Sequence, residues 1–446
     1  MTGFLPQAPG PVRGTLSVPG DKSVSHRAAL FGLIAGGSCR AVGWLDADDT
    51  RRSLEAVRAL GGTASYDGAV LDVAPGPVPA ALRDPDGEPL TLDCGNSGTT
   101  VRLLMGLLAG WLSPEGPGVV LTGDASLNAR PMGRVIEPLR TMGADITCLD
   151  REGRLPVLVR GAALGGVAHH LPVPSAQVKS ALLLAGLFAA GRTEIHGAGA
   201  SRDHTERLLR VMGVGLEDLP RGGLALARGQ RPGTFDIAVP GDPSSAAFFL
   251  TAAAMIPGSQ VTVRGHALNE GRIGALKVLR RAGATVTIDR ARGPRDGEMI
   301  GDVTVEARDL RPVVIGPREI PALVDEIPVL AVLATGLPGK SVITGAAELR
   351  VKESDRLALM ATGLGRLGAR VVELPDGLEI TGPVRLRGGT ENVPMVLETA
   401  GDHRVAMAMA VAALTAEGRC ALDDPACVAV SYPDFFTALD ELLDRG

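Results

Sequence analysis

The sequence predicts a two-domain α/β fold of six repeated β-α-β-α-β-β modules, three per domain in pseudo-threefold array, with buried parallel helices (an inside-out α/β barrel). Three observations predict it. A polar, often charged start followed by an Ala/Leu-rich run recurs near Ser23, Ser97, Ser175, Ser244, Asp325 and Asp402, at near-constant gaps of 69 to 81 residues. Each run is apolar on all sides, the mark of a helix inside a core. Each is followed by a Gly turn, a short extended stretch and a second, one-sided helix.

The apolar runs are Ala28 to Ile34, Leu103 to Leu112, Ala181 to Ala190, Ala246 to Ala254, Ile327 to Ala334 and Val405 to Leu414. None has the roughly 18 uninterrupted apolar residues of a membrane span. The second helices carry a 3.6-residue period, as in Leu54, Val57 and Leu60, or Leu357, Met360, Leu364 and Leu367. Five of them stop at Gly61, Gly143, Gly213, Gly283 or Gly368, the residue type that accepts a left-handed cap. Strands such as Ala284 to Ile288 follow.

A chain of 446 residues exceeds one ordinary core. The tetrapeptide Val-Pro-Gly-Asp occurs at Val18 to Asp21 and again at Val239 to Asp242, each time just before a buried helix. Proline and glycine punctuate chain direction, so the domain crossings are placed there. Residues 21–240 form one domain (modules one to three). Residues 1–20 and 241–446 form a discontinuous second domain (modules four to six). The sixth module ends at the helix Phe435 to Leu442 with no strand after it, and the strand Val12 to Val18 is expected to supply the missing piece.

Hydrophobic content of 45% with 3% aromatic residues indicates a globular core of Ala, Leu and Val. A net charge of -5 gives no basic footprint for nucleic acid. Five cysteines without C-x-x-C spacing indicate neither zinc nor a disulfide framework. The N-terminus lacks a basic-then-apolar leader, so a cytoplasmic protein is expected.

The starts carry the chemistry. Parallel buried helices put their N-termini on one face, where unpaired N–H groups and the helix dipole attract anions. Two facing domains are then expected to line a cleft with up to six positive helix ends. Lys22, Arg27, Arg102, Arg130, Arg202, Lys352, Arg356 and Arg404 cluster at the same places. A net-negative chain with a cationic cleft suits small, multiply anionic ligands: phosphates and carboxylates. Only five of the 45 basic residues are lysines, so Lys22 and Lys352 point to a compact, proton-donating cation that guanidinium cannot replace.

Other motifs are weaker. Ala334 to Ser341 reads A-x-x-x-x-G-K-S, a relaxed phosphate-loop match, but it closes a helix and precedes a strand, the reverse of what that loop requires. His169-His170 is read as a surface loop and not a metal site. His26 and His403 are read as hydrogen-bonding scaffold, and Cys94 has no base beside it in sequence.

Eight stretches together resemble one family. They are Asp21-Lys22-Ser23-Val24-Ser25-His26-Arg27, Gly95-Asn96-Ser97-Gly98-Thr99-Thr100-Val101-Arg102, Arg130-Pro131-Met132, Pro174-Ser175-Ala176-Gln177, Ser201-Arg202-Asp203-His204-Thr205, Asp325-Glu326-Ile327-Pro328, Arg350-Val351-Lys352-Glu353-Ser354-Asp355-Arg356 and Gly401-Asp402-His403-Arg404. In this order they resemble the EPSP synthases (3-phosphoshikimate 1-carboxyvinyltransferases), members of the enolpyruvyl transferases. The resemblance implies transfer of the enolpyruvyl group of phosphoenolpyruvate to the 5-hydroxyl of shikimate 3-phosphate, with release of phosphate, in the shikimate pathway. It implies no metal, no organic cofactor, no nucleic acid or membrane partner, and a monomer.

Residue by residue, it implies that Ser23, Arg27, Ser175, Ala176, Gln177, Arg202 and Lys352 bind shikimate 3-phosphate together with Lys22 and Asp325. Lys22, Gly98, Arg130, Gln177, Arg356 and Arg404 would hold phosphoenolpyruvate, and Lys22, Asp325 and Glu353 would carry the acid–base steps. Ala176, Glu348 and Val430 depart from the Ser, Asn and Lys of some members, which shifts weight to Arg130 and Lys22. Gly98 implies inhibition by glyphosate. The nearest rival is UDP-N-acetylglucosamine enolpyruvyl transferase, which resembles the chain poorly at Lys22 to Arg27 and Arg350 to Arg356. The rival of another class is an inactive scaffold on the same fold, against which intact Lys22, Asp325 and Glu353 speak.

Overall fold

The computed structural model describes residues 5–8, 10–76, 82–83, 86–199, 201–293 and 297–444. They divide into two compact units. One runs from Gly20 to Val239 and takes in Glu298; the other holds the residues up to Pro19, Pro240–Gly293 and Met299 onward. The chain therefore crosses between units at Pro19/Gly20 and at Val239/Pro240, inside the two Val-Pro-Gly-Asp copies.

The second module shows the plan. Strand Leu90–Asp93 leads into core helix Gly98–Trp111, strand Val119–Thr122, outer helix Gly133–Thr141 and the hairpin Asp145–Cys148 and Val157–Arg160. The first two strands pair in parallel, and the hairpin adds antiparallel beside Val119–Thr122. Five four-stranded sheets repeat this order, and no closed barrel forms among the described residues. A parallel pair of consecutive strands needs a helical crossover, and the second, third, fifth and sixth modules bury one between the two strands.

Two sheets are completed by strands from the far side of a crossing. Arg13–Ser17 pairs with Gln260–Ala267 in the fourth module, although the helix after it, Lys22–Gly32, belongs to the other unit. Asp236–Ala238 pairs with Cys39–Val42 of the first module, although the helix after it, Pro243–Met255, also lies across a crossing. The expectation that the N-terminal strand completes the sixth module is thereby corrected. That module keeps only the parallel pair Met395–Leu397 and Cys420–Leu422, followed by the helix Phe435–Asp444, so it lacks the last two strands. The N-terminal strand goes instead to the module whose first helix lacks a strand of its own unit.

Six core helices carry the apolar runs: Lys22–Gly32, Gly98–Trp111, Ala176–Gly186, Pro243–Met255, Ile327–Gly336 and His403–Leu414. Each unit has its own continuous apolar core around three of them. A buried helix start must satisfy its free N–H groups. Asp21, Ser97, Ser175, Asp242 and Asp402 do so with side-chain oxygens. Ser23 and Ser244 thus sit in first turns rather than at the caps. The repeated tetrapeptide has a physical purpose: its aspartate caps the helix that follows each crossing. The fifth core helix has no side-chain cap and grows from a 3-10 turn, Val324–Glu326.

The five outer helices do end at left-handed glycines, with φ between +79° and +104° at Gly61, Gly143, Gly213, Gly283 and Gly368. Gly106 serves a different end. It lets the second core helix lie against the backbone of Ala181 in the third, where any Cβ would overlap. The phosphate-loop lookalike spans the end of Ile327–Gly336 and strand Gly339–Ile343, a helix C-terminus. His169 and His170 lie in strand Ala168–His170 rather than a surface loop; His169 is buried and His170 stacks on His196 at 4.7 Å.

Gly213→Ala meets no neighbour and adds only left-handed strain, so it should cost about 1–2 kcal/mol. Gly106→Ala must also push the second and third core helices apart and should cost about 3 kcal/mol or more. Melting both variants beside the parent protein checks the order, and equal losses would show that the helices are not held at that distance.

Candidate active site

In the Gly20–Val239 unit the polar side chains meet at the N-terminal turns of its three core helices. Asp21 accepts the Val24 N–H at 2.9 Å, which starts the first helix and puts Lys22 and Ser23 in its opening turn, half-buried. The Lys22 ammonium pairs with Asp49, on the outer helix Asp48–Ala59. One turn further, Arg27 is buried and donates to Ser23 O at 2.8 Å, Thr205 Oγ1 at 2.7 Å and Ser180 Oγ at 2.8 Å. Burial lowers its pKa to about 10, against the pull of Glu206, Asp21 and Glu298 and with help from Arg202. Arg27 stays charged at neutral pH and ties the first core helix to the third.

The second core helix opens at Gly98, capped by Ser97. Arg102 donates to Gln177 Oε1 at 2.7 Å, and Gln177 Nε2 donates to Thr99 Oγ1 at 3.2 Å, which joins the second and third helix starts. Arg130 donates to Asn96 O at 3.3 Å and to the Asn96 side chain, and Asn96 donates to Asp124 at 2.7 Å. A Cβ on Gly98 would stand 2.7 Å from the Arg102 guanidinium and 3.5 Å from that of Arg130. Ser175 caps the third core helix ahead of Ala176 and Gln177. Arg202 lies half-buried just before the helix His204–Val211. Behind it Lys179 makes a buried ion pair with Glu206 and donates to Ser201 O at 3.5 Å.

The other unit gathers a second cluster. Arg356 is 1% exposed and faces three carboxylates: Asp402 at 2.8 Å, Glu353 at 2.6 Å and Asp325 at 3.5 Å. Burial opposes its charge, but Asp402, Glu353 and Asp325 outweigh burial and raise its pKa. Arg404 also reaches Asp325, at 3.8 Å, from the first turn of the helix that Asp402 caps. Lys352 lies 3.5 Å from Glu348. Asp325, the Glu353–Arg356 pair and Arg404, from three separate stretches of sequence, thus form one charge cluster, with Lys352 one residue from Glu353.

The expectation of six positive helix ends needs correction. Asp21, Asp242 and Asp402 put carboxylates on three of them and offset the dipole there. Neutral serine caps remain at Gly98 and Ala176, both in the Gly20–Val239 unit. The helix dipole is left without a capping carboxylate at those two starts, and Arg102 and Arg130 flank the first of them. Sequence reasoning missed Asp49, Lys179 and Glu206. Asp49 reads locally as an acidic first-turn residue, and nothing in its neighbourhood points to Lys22.

Comparison with known proteins settles the family. The profile described as EPSP synthase (3-phosphoshikimate 1-carboxyvinyltransferase) matches residues 6–439. The chain belongs to the EPSP synthase family. A 3-phosphoshikimate 1-carboxyvinyltransferase of Anaeromyxobacter sp. (strain K) is 51% identical over 97% of this chain and 94% of that protein. One of Geobacter sp. (strain M21) is 42% identical over the full length of both. An EPSP synthase structure from Acinetobacter baumannii matches with a TM-score of 0.83 at 36% identity, covering 99% of this chain and 97% of that one. The enolpyruvyl transferase NikO from Streptomyces tendae, 20% identical with a TM-score of 0.76, shares the fold.

The scaffold reading of His26 has a physical basis in this EPSP synthase family member. Its Nδ1 shares a hydrogen bond with Ser53 at 2.8 Å, and Ser53 bonds Thr100 at 2.8 Å, behind the Lys22–Asp49 pair. Burial, then Lys22 and Arg27, push its pKa well below 6.5. Burial likewise pushes the Cys94 thiol up to about 12, which removes it as a nucleophile. The unfolded chain takes up a proton near pH 6.5 that folded His26 excludes. Its contribution to stability is therefore complete above that pH and is lost as pH falls below it. His26→Gln should flatten the drop in melting temperature between about pH 7.5 and 5. An unchanged slope would mean that His26 is not the buried neutral group.

Proposed function

We propose that the chain transfers the enolpyruvyl group of phosphoenolpyruvate to the 5-hydroxyl of shikimate 3-phosphate, releasing inorganic phosphate, as a step of aromatic amino acid biosynthesis. The observation that supports this reading is the Arg356–Arg404 cluster holding Asp325 and Glu353, together with the Arg102 and Arg130 guanidinium groups that flank Gly98 at a serine-capped helix start. Both substrates carry a phosphate and a carboxylate, and arginine forks suit such planar anions.

In this reading Ser175, Ala176 and Arg202 take the phosphate of shikimate 3-phosphate at a neutral-capped helix start. Ser23, Arg27, Gln177 and Lys352 take its ring oxygens and carboxylate. Lys22, Gly98 and Arg130 take the phosphate of phosphoenolpyruvate, with Gln177 beside it, and Arg356 and Arg404 its carboxylate. Asp325 accepts the proton of the 5-hydroxyl as that oxygen bonds to C2 of phosphoenolpyruvate. Glu353 or Lys22 delivers a proton to the methylene carbon. The tetrahedral adduct then loses phosphate and a methyl proton, restoring the enol ether. This is general acid–base catalysis in a preorganised charge array.

The test is phosphate release from phosphoenolpyruvate with shikimate 3-phosphate as acceptor, set beside UDP-N-acetylglucosamine. Turnover with the first alone is expected, and turnover with the second alone would overturn the reading. Asp325→Ala should lower kcat by roughly 10²–10⁴-fold; wild-type kcat in that variant would remove Asp325 from the chemistry. Gly98→Ala pushes on the Arg102 and Arg130 guanidinium groups, so it should raise KM for phosphoenolpyruvate and weaken inhibition by glyphosate together. Inhibition constants for both proteins check this.

A further inference from the structure

Asp325 needs a fixed position that does not depend on the arginines it shares with an anionic substrate. Two of its contacts, Arg356 at 3.5 Å and Arg404 at 3.8 Å, are groups that a substrate carboxylate would compete for. The next residue, Glu326, lies in the same 3-10 turn and points the other way: it is 1% exposed. Its carboxylate accepts from the Ser244 hydroxyl and sits 3.5 Å from the Arg272 guanidinium, itself 2% exposed. Arg272 also donates to Asp242 at 3.0 Å and to Ser244 at 3.2 Å. Asp242 is the cap of the fourth core helix.

We propose that Arg272 and Glu326 are positioning residues for the reaction, a buried clamp that fixes the Val324–Glu326 turn and so the Asp325 carboxylate. Burying two carboxylates with one guanidinium is expensive in desolvation, and apolar side chains of similar size would pack there at lower cost. The fifth core helix lacks the side-chain cap that the other five have. The turn that carries Asp325 also has backbone bonds, such as Glu326 N–H to Leu323 O at 3.0 Å, and the buried side chains of Leu323 and Val324, but these anchor the backbone and apolar face rather than its charged end. Through the clamp, Asp325 inherits the rigidity of the capped fourth core helix and keeps it when ligands engage Arg356 and Arg404. A displacement of about 1 Å at a reacting group costs up to 10²-fold in rate, so the clamp acts on kcat.

This inference rests on the role given to Asp325 above. The experiment compares Glu326→Gln, which keeps shape and the Ser244 contact, with Arg272→Lys, Ser244→Ala and the core control Val261→Ala. Glu326→Gln and Arg272→Lys should each lower kcat about tenfold or more, with KM for shikimate 3-phosphate within about twofold. Their double variant should be no slower than either alone, since a clamp opened once cannot be opened twice. Ser244→Ala, which removes one hydroxyl, should lose several-fold in kcat and guards against the charge variants failing to fold. Val261→Ala should lower the melting temperature without lowering kcat. Unchanged kcat in Ser244→Ala or Glu326→Gln, or a loss that Val261→Ala matches at equal destabilisation, overturns the clamp. If Asp325→Ala itself keeps full kcat, the functional reading fails instead, and the two failures are told apart.

Discussion

Everything in this fold follows from the need to end an apolar helix inside a core. A buried helix start leaves N–H groups that no water can reach. The chain meets that need with Asp21, Ser97, Ser175, Asp242 and Asp402. Polar side chains are therefore forced to one end of each apolar helix, and the residues beside them gain a fixed, low-dielectric setting. The choice between Asp and Ser then decides electrostatics. Aspartate caps cancel the dipole and recruit cations, as Asp402 recruits Arg356 and Asp242 recruits Arg272. Serine caps leave the dipole open beside Gly98 and Ala176. Stability and function share one device, since the cap that completes a helix also sets the charge at its mouth.

Much of this was legible in the sequence because it is periodic. The apolar runs, the Gly-terminated outer helices and the paired tetrapeptides are local signals, and each maps onto an element. Some candidate residues were also within reach, because Lys22, Ser23, Gly98, Ser175, Asp325 and Arg404 lie at core-helix starts that the repeat itself marks. What was not legible depends on pairing across long separations. Nothing around Arg13–Ser17 says that its partner is Gln260–Ala267 rather than the sixth module, since a strand's own pattern names a face and not a neighbour. Asp49, Lys179 and Glu206 were missed for the same reason. Each is an ordinary charged helix residue until the fold sets it against Lys22, Glu206 or Lys179.

The two clusters differ in how tightly their charges are committed. Arg27 gives three bonds to protein oxygens and loses affinity for its proton through burial. Arg356 faces three carboxylates and holds its proton more firmly than a free guanidinium. Neither resembles a surface cation waiting for a counter-ion. In both clusters the dipoles and charges are already oriented by protein partners, the kind of array that needs little reorganisation when a charge changes within it. Asp325, at 3.5 Å from Arg356 and 3.8 Å from Arg404, is held in that array as the ionised carboxylate that the two guanidinium groups favour.

The exchanged strands bear on how the chain acquires this array. The Gly20–Val239 unit is nearly continuous: Asp236–Ala238 closes its first sheet as the last strand before the crossing. The other unit must wait. Its strand Arg13–Ser17 has no partner until Gln260–Ala267 exists, a separation of almost 250 residues that carries a large loop-closure term. Domains of long chains fold as units, in order of synthesis. The Gly20–Val239 stretch, with its serine-capped helix starts, is thus made before the unit with Asp325 and Arg356 can begin its first sheet. The placement of a cap directly after each crossing fits that order. The aspartate of each tetrapeptide starts a helix of the next unit at once, so the core helix nucleates even while its neighbouring strand belongs elsewhere.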